Sequence, residues 1–299
     1  MLEPEGEAVH SFIVSAPVKV SLIIPHFSET RSENLNKLID EIKAQSFQGI
    51  EIIIVRGVSP QGKAINEGVS RSQGEILMVM DDDSRMGNSS VIENLVRVIR
   101  ENPSVGMAGA SILTPPEANP FQKRAVKQFP RFNMPIVDEI TDSDFPCHGC
   151  AAFPRGVFFS IGKEREDILR GLDPDLRVRI RNAGYRVVLV PDTWAYHPLP
   201  ESLSKFIRVF IRNGYGSAYL QATHPEINYD TSERVSDKTF MAKRSFFYRI
   251  FRYPVRLIQS FLTFQWLRFL GYSVYLLGYL AGYVRFGVLK SLPANLNKK

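Results

Sequence analysis

The sequence predicts an α/β fold in which helices flank a mostly parallel sheet. Residues 34–42 and 91–99 carry apolar side chains at helical spacing. Short and almost continuously apolar runs predict strands at residues 18–24 (VKVSLII), 50–55 (IEIIIV), 76–80 (ILMVM) and 105–112. Buried strands that alternate with amphipathic helices are typical of a parallel sheet covered on both faces.

The second half of the chain is less regular. Strands are predicted at residues 151–153 and 186–190, and helices at about 175–183 and 203–222. Residues 113–145 are proline-rich and have no periodic pattern, so we expect a long loop there. Ligands of such folds bind at the carboxyl ends of the strands, which directs attention to the residues that follow each apolar run.

Composition excludes several classes of protein. In a chain of 299 residues, 44% hydrophobic and 23% charged residues are ordinary for a globular protein and exclude global disorder. Two cysteines cannot form a disulfide framework, and the first residues lack the basic-then-apolar order of a secretory signal. We therefore expect a protein on the reducing, cytosolic side of the membrane.

The positive net charge is concentrated at the C-terminal end. Residues 240–299 contain ten Lys or Arg and no acidic residue, whereas residues 1–239 carry 27 basic and 31 acidic residues. This asymmetry argues against a nucleic-acid partner and predicts that the tail meets an anionic surface such as a membrane.

The tail also has the composition of an interfacial helix. Arg252 and Arg256 alternate with Phe251 and Leu257, and residues 269–284 are uncharged. A run of 16 residues is shorter than the roughly 20 that a spanning helix needs. We expect residues 243–299 to dock on a membrane, with a single span, or a helical hairpin against the main domain or another subunit, as alternatives.

Three consecutive carboxylates follow the third predicted strand. Asp81, Asp82 and Asp83 come directly after ILMVM. Carboxylates at the end of a buried strand repel one another unless a cation neutralises them, and carboxylate oxygens suit Mg²⁺ or Mn²⁺. The alternative is an acidic cap of the following helix, but Asp83 precedes that helix by several residues.

The run from Gly57 to Ala64 (GVSPQGKA) is close to a P-loop motif. It fits G-x-x-x-x-G-K, but Ala64 has no hydroxyl to bind a metal ion, and another predicted strand precedes this unit. A P-loop nucleoside triphosphatase is therefore a weaker alternative. Lys63 could contact a phosphate or be an ordinary solvated lysine.

A second acidic cluster begins a predicted helix at LDPDL. Asp173 followed by Pro174 suits a helix N-terminus, and Asp175 and Arg179 are spaced so that they can pair on one helical face. Taken alone, the cluster fits a capped amphipathic helix as well as a catalytic site.

Taken together, these motifs resemble the family 2 glycosyltransferases of GT-A fold. The resemblance rests on the order of VSLIIP, KAINEGVSRSQGEILMVMDDD and LDPDLRVRIRNAGYRVVLVP, and it covers residues 18–197. It implies that Asp83 and Asp81 hold a divalent Mg or Mn ion, with Asp81 facing the nucleotide. It further implies that Asp173 is the catalytic base, with Asp175 and Arg179 in the same pattern.

The resemblance also implies the residues that contact a nucleotide-sugar donor. They are Pro25, His26, Lys63, Asn66, Asp81 and Asp82. Relatives often place at the position of His197 a histidine that contacts the metal or a phosphate, whereas an ordinary hydrogen-bonded histidine is the alternative. Three positions depart from the family pattern, namely Arg56-Gly57, Leu172 and Phe27-Ser28-Glu29, and they leave the nucleotide base and the sugar open.

The predicted function is inverting transfer of a sugar from a nucleotide-diphosphate sugar to a hydroxyl of a lipid-linked or cell-surface glycan. This activity belongs to cell-wall or polysaccharide biosynthesis at the cytoplasmic face of the cell membrane, with homo-oligomerisation left open. A non-catalytic nucleotide-sugar-binding or scaffold protein is the alternative. The predicted organisation is a lead (1–17), the GT-A domain (18–225), a linker (226–242) and the tail (243–299).

Overall fold

The computed structural model describes residues 8–227, 235 and 246–289. The chain divides into two compact units, each built from separate segments. The first contains residues up to 113, 134–166 and 176–197, and the second contains residues 114–133, 167–175 and 198 onward. Most of the predicted linker lies outside the described residues, so the predicted domain boundaries remain a prediction.

The first unit is organised around a nine-stranded sheet. Its spatial order is β1-β3-β2-β4-β8-β6-β9-β5, and β7 pairs with β9. The strands are β1 (Val9–Ile13), β2 (Val20–His26), β3 (Ile50–Arg56), β4 (Ile76–Val79), β5 (Arg85–Met86), β6 (Val105–Leu113), β7 (Thr141–Asp142), β8 (Ala151–Pro154) and β9 (Arg186–Tyr196).

The sheet is mixed. β2 is parallel to both β3 and β4, and β6 is parallel to β9. β8 lies antiparallel between β4 and β6, while β1 runs antiparallel along β3 at the sheet edge. The five strands β2, β3, β4, β6 and β9 therefore share one direction, which confirms the predicted α/β class.

Helices cover the sheet where the sequence places apolar stripes. In α1, the side chains of Leu35, Leu38 and Ile42 are buried at helical spacing. The helices are α1 (Ser32–Lys43), α2 (Gln61–Arg71), α3 (Val91–Glu101), α4 (Pro120–Gln128), α5 (Arg155–Ser160), α6 (Leu172–Asn182), α7 (Leu203–Thr223), α8 (Phe246–Leu262) and α9 (Trp266–Gly282).

Three local expectations differ from the structure. Residues 9–13 of the predicted lead form β1, because their backbone groups pair with β3. The predicted loop 113–145 contains α4, whose N-terminus is fixed by a capping box between Asn119 and Gln122 with Pro120 in the first turn. Helix α6 begins at Leu172, so Asp173 lies in its first turn rather than at a cap before it.

The second unit has an aromatic core. Phe206 and Phe210 of α7 are buried with Val274 of α9, and the rings of Phe129 and Phe132 pack against this cluster. Large aromatic side chains contribute much of the apolar area that such a small core can bury. This core fixes α7 against α9.

Glycines allow α7 and α9 to approach each other closely. A Cβ atom on Gly278 would lie 2.1 Å from the carbonyl oxygen of Ile211, and one on Gly214 would lie 2.0 Å from that of Tyr275. Side chains at these two positions would collide with rigid backbone. In the described parts of the chain, none of the helices is both long enough and apolar enough to cross a membrane, including α9, which contains most of the uncharged run at residues 269–284.

Replacing Gly278 by alanine is expected to destabilise the second unit. The added methyl group would collide with the backbone of α7, and overpacking of this kind costs about 1–3 kcal/mol. Thermal unfolding followed by circular dichroism measures the effect. Gly156→Ala on α5 is the matched control, since a Cβ there meets nothing within 4 Å. Equal stability of both variants would contradict the close helix crossing.

Candidate metal and donor site

The acidic triplet forms a tight turn at the carboxyl end of β4. The amide of Met80 donates to the carbonyl of Ile23, which extends the pairing of β4 with β2 by one residue. The amide of Ser84 then donates to the carbonyl of Asp81 at 3.0 Å and closes the turn. The three aspartates are therefore held at the strand end by backbone hydrogen bonds.

The two-residue strand β5 joins this turn to the end of β9. Arg85 pairs with Tyr196, and Met86 pairs with Ala195. Gly87 follows, and a Cβ atom there would lie 2.3 Å from Trp194, so only glycine permits this approach. The pairing places the aspartate turn beside the residue that follows β9, which is His197.

Asp81, Asp83 and His197 form one cluster. His197 Nε2 lies 3.3 Å from Asp83 Oδ1 and 3.6 Å from Asp81 Oδ2. Each residue offers a ligand atom, and these atoms lie within 4.8 Å of one another. Two carboxylates and an imidazole are a suitable donor set for a divalent cation such as Mn²⁺. These residues therefore fit the predicted metal.

The opposite charges of Asp83 and His197 each favour the charged form of the other, which shifts their pKa values. Burial disfavours the charged form of Asp83, but the hydrogen bond and charge of His197 and the charge of Arg31 outweigh it, so the pKa of Asp83 is lowered. Desolvation likewise works against a charged His197, but the two aspartates raise its pKa to about 10. In the absence of a metal, the imidazolium neutralises part of the carboxylate charge.

Asp82 is paired with His26 and Arg31. Its Oδ2 lies 2.8 Å from Nδ1 of the buried His26, and its Oδ1 accepts from Arg31 Nη1 at 2.9 Å. Arg31 Nη1 also lies 3.1 Å from Asp83 Oδ2. These contacts tie the aspartate turn to the end of β2. Donor contacts of His26 and Asp82 remain a prediction.

Residues at the start of α2 also reach the turn. Gln61 Nε2 donates to Asp81 Oδ1 at 2.8 Å. Lys63, two residues later in the same helix, is exposed, whereas Gly62 is buried. Gly62 and Lys63 lie in the first turn of α2, and the following Ala64 offers no hydroxyl to bind a metal ion, unlike the last residue of a P-loop motif. Lys63 remains a predicted phosphate contact.

Asn66 is engaged with another segment of the first unit. Its side-chain nitrogen donates to the Glu164 carbonyl and to Glu166 Oε1, both at 2.9 Å, and its oxygen accepts from the Glu164 amide at 3.0 Å. This geometry supports a role in holding the segment at 164–166. Contact of Asn66 with the donor stays a prediction.

The four remaining predicted residues lie near the end of β2 and in α6. Pro25 is in β2 beside Val55 of β3, near the carboxyl ends of both strands. Asp173 and the buried Asp175 lie in the first turn of α6 and belong to the second unit. Arg179, in the first unit, donates to the carbonyl oxygens of Ile161 and Lys163. The roles predicted for these four residues remain predictions.

Sequence reasoning missed Arg31 and Gln61. Arg31 follows the end of β2 by five residues, and Gln61 lies inside the apparent G-x-x-x-x-G-K match. Neither carries a distinctive motif of its own. Their contacts with Asp82, Asp83 and Asp81 depend on strands and helices that meet only in the folded chain.

Comparison with known proteins agrees with this geometry. The model of the family described as "Glycosyltransferase like family 2" matches residues 6–216, more than half of the chain. The protein therefore belongs to glycosyltransferase family 2 and is a glycosyltransferase. No curated protein sequence gives a significant match.

Solved structures are similar in fold. The mannosyltransferase PcManGT from Pyrobaculum calidifontis, in complex with GDP-Man and Mn²⁺, is 15% identical with a TM-score of 0.53, over 95% of this chain and 79% of that one. S. aureus TarS is 12% identical with a TM-score of 0.45, over 72% and 41% of the respective chains. The first likeness supports the GT-A fold.

Removing a ligand of the cluster is expected to weaken divalent-ion binding. Asp83→Asn should reduce Mn²⁺ affinity by about tenfold or more, since a charge-assisted contact is worth about 1.5–3 kcal/mol. The electron paramagnetic resonance signal of free Mn²⁺ measures the affinity. Asp138→Asn, at an exposed position of the same unit, should bind Mn²⁺ as the unaltered protein does. Undiminished binding by Asp83→Asn would exclude this cluster as the site.

Proposed function

We propose that this glycosyltransferase moves a sugar from a nucleotide-diphosphate sugar to an acceptor hydroxyl with inversion at the anomeric carbon. The observation that carries the proposal is the cluster of Asp81, Asp83 and His197 at the carboxyl ends of β4 and β9, in a chain of this family. Ligands of open α/β sheets bind at this edge.

Asp81, Asp83 and His197 are the residues that would hold a divalent ion. Such an ion, when bound, neutralises the diphosphate and stabilises the departing nucleoside diphosphate. The protein holds these ligands in place through the β5–β9 pairing and through Gln61, which donates to Asp81. Pro25, His26, Lys63, Asn66 and Asp82 are proposed to line the donor.

Asp173 is proposed as the general base. It lies in the first turn of α6, where the helix dipole interacts favourably with a negative charge. In the reaction Asp173 accepts the proton of the acceptor hydroxyl while the oxygen of that hydroxyl attacks the anomeric carbon. A single displacement of this kind inverts the configuration. Asp175 and Arg179 are proposed to support this helix.

Replacing Asp173 by asparagine tests this role. Sugar transfer should fall by about 10²- to 10⁴-fold, the usual contribution of a general base. Binding of the nucleoside diphosphate, measured by calorimetry with Mn²⁺, should persist because the metal ligands are intact. Asp138→Asn again serves as the control. Unchanged transfer would remove Asp173 as the base, and no transfer by the unaltered protein with any donor would favour the non-catalytic alternative.

The C-terminal helix α8 supports the proposed membrane contact. Its inner side packs on α9, where the Tyr253 ring lies 5.9 Å from that of Tyr272. Its outer side is a continuous apolar stripe at helical spacing, and each of its residues is 59–70% exposed. The stripe consists of Phe247, Phe251, Val255, Ile258 and Leu262.

An anionic bilayer is the partner that matches this stripe. An exposed apolar patch of this kind marks an interaction surface, and the sequence from 240 to 299 contains ten basic and no acidic residues. Apolar burial and attraction to anionic lipid together hold interfacial helices on membranes. We propose that α8 lies on the cytoplasmic face of the membrane and that the acceptor is a lipid-linked or cell-surface glycan.

Vesicle cosedimentation tests the docking surface. The unaltered protein should bind vesicles that contain phosphatidylglycerol and bind phosphatidylcholine vesicles weakly, with binding that falls as salt rises. The double variant Phe251→Gln/Ile258→Gln should lose about tenfold or more in partitioning, because burying each such side chain is worth about 1.5–3 kcal/mol.

Phe27→Gln is the matched control for this experiment. Phe27 is as exposed as Phe251 but lies after β2 in the first unit. Its replacement should leave vesicle binding unchanged. Equal loss in both variants, or full binding by the α8 variant, would contradict docking through α8.

A further inference from the structure

A separate groove runs along the second unit between α7 and α9. Its volume is about 700 Å³, within the range of small-molecule binding sites. Ile207 and Ile211 of α7 form one wall, and Leu277 and Ala281 of α9 form the other, with Gly278 between them. The groove shares no lining residue with the apolar stripe of α8.

The walls of the groove are apolar and open to solvent. Leu277 is 63% exposed and Ile211 is 40% exposed. The groove is narrow at its base because Gly278 lets the two helices approach closely. An apolar chain that entered it would remove these two side chains from water, which favours binding.

Arginines line one side of the same groove. Arg208 and Arg212 are one helical turn apart on α7, so both guanidinium groups project along the same face. Within the described residues neither forms a hydrogen bond or an ion pair. Arg285 Nη1 donates to the hydroxyl of Tyr215, which also lines the groove, and thereby adds a third cation beside it. Among the residues that the structure describes, none that lines the groove is acidic.

We propose that the groove binds one lipid molecule with an anionic phosphate headgroup. The hydrocarbon chain would lie between Ile211 and Leu277, and the phosphate would accept hydrogen bonds from Arg208 and Arg212. The apolar groove, with the guanidinium groups of Arg208 and Arg212 on one side, complements this ligand in both polarity and charge. This inference rests on the proposed membrane contact and adds a specific lipid to it. The groove residues that would contact this lipid belong to α7 and α9 and not to α8.

Short-chain phosphatidic acids, used below the concentration at which they aggregate, test this site without a bilayer. Calorimetry should show at least about tenfold tighter binding of the dihexanoyl lipid than of the dibutyroyl lipid, because each buried methylene adds to affinity. Inorganic phosphate should bind much more weakly than either. Equal affinity for phosphate and lipid would reduce the groove to a simple anion site and overturn the proposal.

Variants test the two halves of the site. Arg212→Gln should weaken dihexanoyl phosphatidic acid binding by about tenfold or more, and Leu277→Gln should weaken it and reduce the dependence on chain length. Arg124→Gln, an exposed arginine of α4, is the matched control. Circular dichroism verifies folding, and Arg208→Gln replaces Arg212→Gln if that variant unfolds. Loss of affinity in the control, or none in the groove variants, would overturn the proposal.

The α8 double variant separates this inference from membrane docking. Phe251→Gln/Ile258→Gln should bind short-chain phosphatidic acid with unchanged affinity even though it no longer binds vesicles. If it loses the short-chain lipid as well, the lipid binds at α8 and the groove proposal fails. If vesicle binding is intact in this variant while the groove variants lose lipid, docking through α8 fails and the groove stands.

Discussion

The site depends on the pairing of β5 with β9. Only two residue pairs join these strands, yet they fix the turn of three aspartates beside His197. Gly87 makes the pairing possible, because any side chain there would meet Trp194. Without this contact, the aspartate turn would keep His26 and Arg31 beside Asp82 but would lose the strand pairing that brings it to His197. The proposed metal site therefore rests on a short and nonlocal strand pair.

The three consecutive aspartates divide into two roles. Asp81 and Asp83 share His197, whereas Asp82 is buried between His26 and Arg31. A buried carboxylate is tolerated when cations and hydrogen bonds compensate for its lost hydration, and both partners of Asp82 supply this. Arg31 contacts Asp82 and Asp83 together, so it links the buried carboxylate to a proposed metal ligand. The alternation of roles follows from where the turn directs successive side chains.

Local sequence patterns were sufficient to predict the strands and helices that carry continuous or regularly spaced apolar residues. Strands β2, β3, β4 and β6 are apolar along almost their whole length, and α1 and α3 carry regular apolar stripes, so each was predictable. Strand β5 has two residues and no pattern of its own, and α4 depends on a capping box inside a proline-rich stretch. The resemblance to a family pointed to Asp81, Asp83 and His197. The contacts of Arg31 and Gln61 arise only from tertiary pairing, which no single-sequence pattern encodes.

The most direct test of the account is thermal stabilisation by nucleoside diphosphates with and without Mn²⁺, for the unaltered protein and for His197→Gln. A ligand that binds the folded state raises Tm by mass action. We expect one nucleoside diphosphate to raise Tm of the unaltered protein only when Mn²⁺ is present, and we expect the variant to lose most of this increase. Equal stabilisation of both proteins, or stabilisation that does not need the metal, would contradict a metal-dependent donor site at the end of β4.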